Sequence, residues 1–369
     1  MKNLARLIGL FSLLALMATV ALCAQHNLRF VDQSGKPVSD VIVRATYTAT
    51  PPALPGGTFD IRSDADGRIS IGHPCGPSSG SCCLLVSPVN YTVIGKFGYS
   101  FSGGGVVGCG LGPPTDATIT GTGQEYPKLS VVSAANFRDP LSSEMIVAAF
   151  GLNLSTATEI AGLPLPTTLA NRRVFLRNSD GQEAPAQLLF VSPQQINFIV
   201  PNQSGSSLRT IIVRDTTDQV VSAGFPVLNT IAPGIFTANA DGQGVPAAVI
   251  VRARADGSQM YEPVAQFDQT SQRFVPLALD LGMETDIVVL ALFGTGWRNF
   301  NSSTMLSVKV GGINCPVEYV GKQPTVAGLD QINARLPRSL LGKGDATVEV
   351  QFTVFGTSAT ANPVQLKIK

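Results

Sequence analysis

The chain has 369 residues, with 26 Lys and Arg against 25 Asp and Glu, so its formal net charge is +1. This balance provides neither a basic field for nucleic acid nor a polybasic segment for a membrane surface. The 37 Gly and 25 Pro favour many short strands joined by turns, so we predict an all-β fold.

The N-terminus has the pattern of an export signal. Two basic residues precede an apolar run from Leu7 to Leu22, and small residues then suit cleavage after Ala24 or after Cys23. A retained membrane helix and a lipid-anchored Cys23 are the alternatives. We expect residues 1–24 to be a cleaved signal peptide and the mature protein to be extracytoplasmic. No later segment is apolar for long enough to span a membrane.

Residues 25–125 are predicted to form a small β-sandwich. Strand patterns alternate with turns, among them Asp66-Gly67, whose glycine suits positive φ. Asp64 and Asp66 are also half of a calcium loop, but no glutamate follows at the required spacing. We therefore interpret both carboxylates as turn residues, and we predict no metal and no cofactor.

Four cysteines lie close together in this segment: Cys75, Cys82, Cys83 and Cys109. In an exported protein such a cluster predicts a local disulfide framework. Adjacent cysteines are poorly placed to bond each other. Two pairings therefore stay open, Cys75–Cys82 with Cys83–Cys109, or Cys75–Cys83 with Cys82–Cys109. The spacing does not fit zinc, and we interpret the remaining Cys315 as a small buried apolar residue.

The order of turns and strands in this segment resembles the carboxypeptidase-regulatory or transthyretin-like family. The motifs that carry the resemblance are Asp32-x-x-Gly35-Lys36-Pro37-Val38, Ser63 to Arg68, Tyr91-Thr92-Val93 and Gly98-Tyr99. The cysteine-rich segment 74–84 and the glycine-rich segment 103–112 depart from the family pattern. The resemblance implies an accessory domain.

The rest of the chain contains one stretch twice. The first copy runs from Pro185 to Pro201 and the second from Pro316 to Pro337. Each reads as strand, loop and strand, with Gln-Ile-Asn at the start of the second strand. A Phe-Gly pair precedes each copy and a closing hairpin follows it. These matched features, in one order, predict an internal duplication with repeats at 126–232 and 233–369.

The repeated motif consists of Gln195, Ile196 and Asn197 in the first copy and of Gln331, Ile332 and Asn333 in the second. The isoleucines share a strand face with other apolar residues and are predicted to be core, while the amides point to the other side. The amides either satisfy backbone groups of the preceding loop or line a ligand surface. We favour the structural role because both copies keep the amides although their loops differ. Binding residues are expected on those unequal loops.

Several motifs within residues 130–369 together resemble an uncharacterised C-terminal domain of secreted acidobacterial proteins. They are Ser133 to Phe137, Phe150 to Leu154, Phe190 to Phe198, Ala232 to Phe236, Phe293 to Trp297 and Gly328 to Asn333. Each half also resembles the immunoglobulin-like TIG module. The resemblance implies export and placement at the end of large secreted proteins, and it brings no catalytic residues with it.

A catalytic set is not evident in the sequence. A Ser-His-Asp arrangement needs a histidine base, and the chain has only 2 histidines. Carboxylates cluster at Asp280, Glu284 and Asp286, which we interpret as a polar turn because spacing alone cannot identify an acid pair. Arg252, which shares a strand face with another arginine, is interpreted as solvated. Trp297 is interpreted as a packing residue rather than as a sugar-stacking ring.

The sequence thus predicts an exported all-β protein with three consecutive sandwiches and with no catalytic, cofactor-binding or metal-binding residues. We expect a non-catalytic structural or binding protein, with a role in adhesion or in envelope or extracellular assembly. The expected partner is an unknown protein or glycan and not a nucleic acid. The alternative is an accessory carbohydrate-binding or carbohydrate-active protein.

Overall fold

A computed structural model describes residues 25–47, 57–72, 89–107, 115–202, 208–301, 304–354 and 356–369. The predicted all-β fold is confirmed, since these ranges consist mainly of strands and contain no α-helix. No helix in the described ranges is long and apolar enough to cross a bilayer. The predicted signal peptide and the four clustered cysteines lie outside the described residues. The chain divides into two compact units, Met1–Glu125 and Tyr126–Lys369.

The first unit contains nine described strands around one core. They are β1 (Gln25–Val31), β2 (Ile42–Tyr47), β3 (Gly57–Arg62), β4 (Arg68–Gly72), β5 (Val89–Gly95), β6 (Tyr99–Ser100), β7 (Gly104–Val107), β8 (Thr115–Thr120) and β9 (Thr122–Gly123). One sheet has the order β3-β2-β5-β7, another β4-β1-β8, and β6-β9 form a ribbon. Leu28, Phe30, Val43 and Val89 belong to the core. Strand β5 alternates buried and exposed residues, so one face of its sheet covers that core.

The first half of the second unit contains two sheets. Its strands are β10 (Ser130–Ser133), β11 (Ile146–Phe150), β12 (Glu159–Ile160), β13 (Arg172–Asn178), β14 (Glu183–Pro185), β15 (Gln187–Val191), β16 (Gln195–Ile199), β17 (Arg209–Asp215) and β18 (Val220–Gly224). The sheet orders are β10-β11-β16-β15-β12 and β14-β13-β17-β18. Inward residues of both sheets, among them Val147, Phe198 and Ile211, share one hydrophobic core.

The second half repeats this plan with more strands. They are β19 (Gly234–Ile235), β20 (Ala248–Ala253), β21 (Gln259–Pro263), β22 (Ala265–Asp268), β23 (Arg273–Pro276), β24 (Ala278–Leu279), β25 (Ile287–Thr295), β26 (Thr304–Val310), β27 (Ile313–Asn314), β28 (Val317–Lys322), β29 (Asp330–Arg335), β30 (Gly344–Val354), β31 (Thr357–Thr360) and β32 (Val364–Ile368), with a 3-10 turn at Arg338–Leu340. One sheet has the order β21-β20-β25-β29-β28, with β19 beside β25. The other has the order β24-β32-β30-β26-β27, with β31 beside β30.

One difference between the two halves is an insertion. Strand order β10-β11-β16-β15 in the first half corresponds to β20-β25-β29-β28 in the second. The segment that joins β10 to β11 has no strand, whereas β21, the β22–β23 hairpin and β24 lie between β20 and β25. The second repeat therefore has an additional edge strand and an additional hairpin.

Candidate functional site

The repeated stretch forms the same hairpin in both halves of the second unit. Strands β15 and β16 pair antiparallel with a register shift between Leu188 and Phe190. Strands β28 and β29 pair antiparallel with a register shift between Val317 and Tyr319. A β-bulge thus occurs at the same place in each copy. It lies two residues before Val191 in the first copy and two residues before Val320 in the second. Because a bulge re-aims the side chains after it, both copies direct the aromatic residue to the same face.

The apolar side of the motif lies in the cores. Ile196 and Ile332 are each 0% exposed. The alternating partners Phe198 and Ala334 are also fully buried. Because successive side chains of a strand point to opposite faces, the glutamine and asparagine on either side of each isoleucine must face outward.

The outward amides bond to each other. The Nε2 group of Gln195 donates to Oδ1 of Asn197 at 2.8 Å. The Nε2 group of Gln331 donates to Oδ1 of Asn333 at 2.7 Å. Residues i and i+2 lie on one strand face, and the longer glutamine side chain reaches across the intervening distance.

Other groups close the preceding loops, which changes the interpretation of the amides. In the first copy the hydroxyl of Ser192 accepts the backbone N–H of Gln195 at 3.0 Å. In the second copy Oε1 of Gln323 accepts the N–H of Thr325 at 2.8 Å. Within the described residues the motif amides therefore do not hold the loop backbone, because residues inside each loop already do so.

Aromatic residues flank each amide pair on the outer face. On the neighbouring strand β11 or β25, an alanine lies opposite the asparagine and a phenylalanine opposite the glutamine. On the other neighbour, a second aromatic residue lies opposite the asparagine. The set, called the amide–aromatic face below, comprises Ala148, Phe150, Phe190, Gln195 and Asn197 in the first repeat and Ala291, Phe293, Tyr319, Gln331 and Asn333 in the second.

The longer loop of the second copy forms a joint with the first repeat. The Oγ1 atom of Thr295 accepts the N–H of Ile146 at 2.9 Å and donates to the carbonyl of Gly328, also at 2.9 Å. Gly328 has φ +78, and a Cβ there would lie 2.5 Å from Cγ1 of Ile146 and 3.2 Å from Cγ1 of Ile199. Only glycine allows both this backbone conformation and this close approach. The end of the loop at Gly328 therefore packs on the first repeat, whereas residues 324–327 of the same loop are exposed.

A buried ion pair lies beside this joint. Asp330 is 0% exposed, and its carboxylate accepts the N–H of Trp297 at 2.9 Å, the N–H of Arg298 at 3.1 Å and Nε of Arg298 at 2.8 Å. Burial raises the pKa of Asp330, and the nearby guanidinium of Arg298 opposes that rise. The same guanidinium lies 3.9 Å from the carboxylate of Glu144 in the first repeat. Charge pairing therefore also crosses the joint.

The Phe-Gly pairs before the repeated stretches have a packing explanation. A Cβ on Gly151 would lie 2.8 Å from the side chain of Leu154, and one on Gly294 would lie 1.9 Å from the ring of Trp297. Leu154 and Trp297 are each 0% exposed, so the glycine makes room for the buried residue three positions later. Trp297 stacks on Phe352 with ring centroids 6.2 Å apart. It is a core residue, as the sequence interpretation had it.

Arg252 makes hydrogen bonds to two residues of the acidic cluster, Asp280 and Asp286. Arg252 is 5% exposed, which contradicts its interpretation as solvated. Its guanidinium donates to Glu262 at 2.6 and 3.0 Å, to Asp286 at 3.2 Å and to the carbonyl of Asp280 at 2.6 Å. The hydrogen bond to Glu262 is the main cause that raises the pKa of Arg252. A cleft of about 570 Å³ lies beside this network and is lined by residues of the segments 252–256 and 280–286.

The remaining candidates are structural within the described residues. Oδ1 of Asp64 accepts the N–H groups of Asp66 and Arg68 at 2.9 and 2.8 Å, which is a turn interaction. No group of three or more His, Cys, Asp or Glu with metal-binding geometry occurs in the described ranges. Cys315 is 2% exposed, and burial raises its pKa to about 11, so its thiol stays protonated at neutral pH.

Comparison with known proteins adds little. No family model matches the sequence, and no curated protein matches it. One solved structure to which the chain is similar is an auxiliary nutrient binding protein from Bacteroides ovatus ATCC 8483, at 9% identity and a TM-score of 0.18. The alignment covers 64% of this chain and 59% of that one, so the chain matches about three fifths of that structure's length. A TM-score this low carries no argument about fold or function.

Proposed function

We propose that this chain is a non-catalytic, extracytoplasmic structural or binding protein in which two immunoglobulin-like repeats form one stiff tandem. In this proposal residues 1–24 are the signal peptide, 25–125 the regulatory-like sandwich, and 126–232 and 233–369 the repeats. The proposal includes membership of the acidobacterial secreted-domain family, which the sequence motifs support.

The joint is the observation that carries the proposal. The bond from Ile146 to the Thr295 hydroxyl, the glycine contact and the ion pair of Arg298 with Glu144 connect the second repeat to the first. Each is lost if the repeats separate. Buried polar groups are costly when they lose their partners, so a joint of this kind resists bending. A fixed arrangement of two sandwiches suits a protein that presents surfaces to a partner.

The occupied acidic cluster supports the non-catalytic part of the proposal. A general acid or base must exchange a proton with a substrate, which requires an accessible carboxyl group. The side chain of Asp286 is 6% exposed and is paired with Arg252. Glu262, which also bonds Arg252, is likewise engaged.

Two measurements on the purified chain test the proposal. The repeats should unfold as one calorimetric transition, which should split into two in a variant of the joint. An activity screen on polysaccharides and esters should find no turnover. Turnover that Asp286→Asn abolishes would refute the non-catalytic assignment, and two independent transitions in the wild-type repeats would refute the stiff tandem.

A further inference from the structure

Each amide–aromatic face keeps unused hydrogen-bonding capacity. A glutamine amide can accept through Oε1, and an asparagine amide can donate twice through Nδ2. In each pair the glutamine uses only an N–H and the asparagine uses only its oxygen. Within the described residues, Oε1 of Gln331 and Nδ2 of Asn333 have no protein partner. Each face therefore presents an acceptor and a donor to solvent, side by side and held in place by the bond between the two amides.

Rings on the second repeat surround this pair with apolar surface. Tyr319, opposite Asn333, is 40% exposed, and the ring of Phe293 is partly buried beside Gln331. Tyr261, on the edge strand β21, is 72% exposed. It pairs with Val251, which in turn pairs with Val289, and this row of residues is adjacent to the row that contains Tyr319 on the same face. The tyrosines lie on strands four spacings apart, or about 19 Å at the usual strand separation. Valines of β20 and β25 form the floor between them.

The second face is electrically neutral. Among the described residues, Arg335 lies on the same face as the amides and is paired with Glu318, whose Oε1 accepts Nε at 2.7 Å. Because these two charges are paired, the described part of the face offers neither an unpaired cation to an anionic polymer nor an unpaired carboxylate to a cationic one. A neutral surface of rings and amides is complementary to a chain whose sugar rings offer C–H faces for stacking and hydroxyl groups for hydrogen bonds.

The first face is smaller, because the joint covers part of it. Ile146 and Ile199 lie on its lower row, and Gly328 packs on both. In the second repeat the register places Val289 and Arg335 at these positions, and no described loop covers them. The open area therefore differs between two faces that otherwise share their amides, alanine and phenylalanine.

We propose that the amide–aromatic face of the second repeat is a binding surface for a neutral polysaccharide, with the first face as a weaker copy. The inference rests on the proposed function as a binding protein and names its ligand class. The polysaccharide lies across the strands between Tyr319 and Tyr261, with hydroxyl groups bonded to the free atoms of Gln331 and Asn333. A protein partner is the competing occupant, and it would leave every neutral polysaccharide unbound.

Affinity gel electrophoresis of the full chain tests the proposal, with xyloglucan, mixed-linkage β-glucan and arabinoxylan as neutral probes and alginate as the anionic comparison. At least one neutral polymer should retard the wild type, and alginate should not. Asn333→Ala and Tyr319→Ala should each weaken binding about tenfold, the loss expected from one hydrogen bond or ring contact. Tyr319→Phe keeps the ring and should bind as the wild type does.

Gln351→Ala is the matched control, since Gln351 is an exposed amide on β30 of the other sheet, bonded to Ser358. It should leave retardation unchanged, and Asn197→Ala on the smaller face should weaken it less than Asn333→Ala. Retardation by none of the neutral polymers, or equal retardation of the wild type and the Asn333→Ala/Tyr319→Ala double variant, overturns the proposal. If the repeats still unfold as one unit and no turnover is found, such a result refutes the glycan assignment alone.

Discussion

Replacing Arg298 by alanine should destabilise the second unit by about 3 kcal/mol at neutral pH. The guanidinium is 6% exposed on its side chain, and Asp330 is fully buried. Removing one partner of a buried ion pair costs about 3–5 kcal/mol because the other charge stays buried and uncompensated. The lower end applies here, since the N–H groups of Trp297 and residue 298 still bond the carboxylate after the substitution. The carbonyl of Leu329 also loses its donor.

The loss of stability in Arg298→Ala should depend on pH, because Asp330 titrates. Burial already raises the pKa of Asp330 above its unfolded value, so the folded state binds the proton more tightly than the unfolded state does. The penalty of the buried charge is fully present above the folded pKa and is relieved as pH falls through it. Without Arg298 that pKa rises further. The deficit of Arg298→Ala should therefore be largest near neutral pH and shrink toward acid.

Urea unfolding followed by tryptophan fluorescence measures this effect, since Trp297 is the only tryptophan in the chain and is fully buried. Curves at about pH 7.5 and at a series of lower pH values compare the charged carboxyl group with one that takes up its proton. Arg335→Ala is the control, because it breaks an exposed pair with Glu318 and should cost less than about 1 kcal/mol at each pH. Equal losses in the two variants, or a deficit of Arg298→Ala that grows toward acid, would refute the reasoning.

Three further changes probe the rest of the second unit. Gly328→Ala should cost about 1–3 kcal/mol more than Gly342→Ala in urea unfolding, because both glycines have positive φ but only the first would press a Cβ on Ile146. Arg252→Met should cost about 3–5 kcal/mol by the same measurement, since it leaves the buried carboxylate of Asp286 without its cation. A loss below that of an exposed pair would contradict the assignment. Native Cys315 should react with a thiol reagent only as the unit unfolds, because it is buried and its pKa is about 11. The wild type and Cys315→Ala should therefore show equal labelling in the fast phase. A fast phase that is present in the wild type and lost in the variant would contradict this prediction.

Period-two patterns made the cores predictable from the sequence. The alternation around Ile196 and Ile332 places one side chain in two inward, and both are fully buried. The seven apolar residues from Ile287 to Phe293 correspond to β25, a central strand with neighbours on both sides. Burial of apolar surface dominates the choice of strand face, and it acts through local spacing that a sequence displays.

The joint could not be predicted because its contacts are long-range. Thr295 meets the backbone of Ile146 across 149 positions of the chain, and no local pattern encodes that distance. The segment around Gly328 read as a variable loop for the same reason. Gly328 was the one feature of the sequence consistent with a close approach between two segments, and glycine is also common in exposed turns.

Two elements of the second repeat were misread or missed for more local reasons. Arg252 follows Ile250 by two residues on a strand, so it lies on the inward face, and that spacing could have identified it as buried. The β22–β23 hairpin has a polar turn without glycine, and its cross-strand pair of Phe267 and Phe274 lies 5.4 Å apart between ring centroids. A turn that lacks the usual glycine or asparagine gives little signal.

The differences between the two repeats account for one covered face and one open face. Equivalent positions in the sheet registers hold Ile199 in the first repeat and Arg335 in the second. Gly328 of the second repeat packs on Ile199, whereas Arg335 is exposed and paired with a carboxylate. Apolar surface is buried where a loop covers it and is interrupted by charge where none does, as solubility requires. Equivalent amides and rings nevertheless lie next to these positions in both repeats. The amides therefore accompany a covered lower row in the first repeat and an exposed one in the second, so their recurrence does not depend on whether a neighbouring loop covers the face.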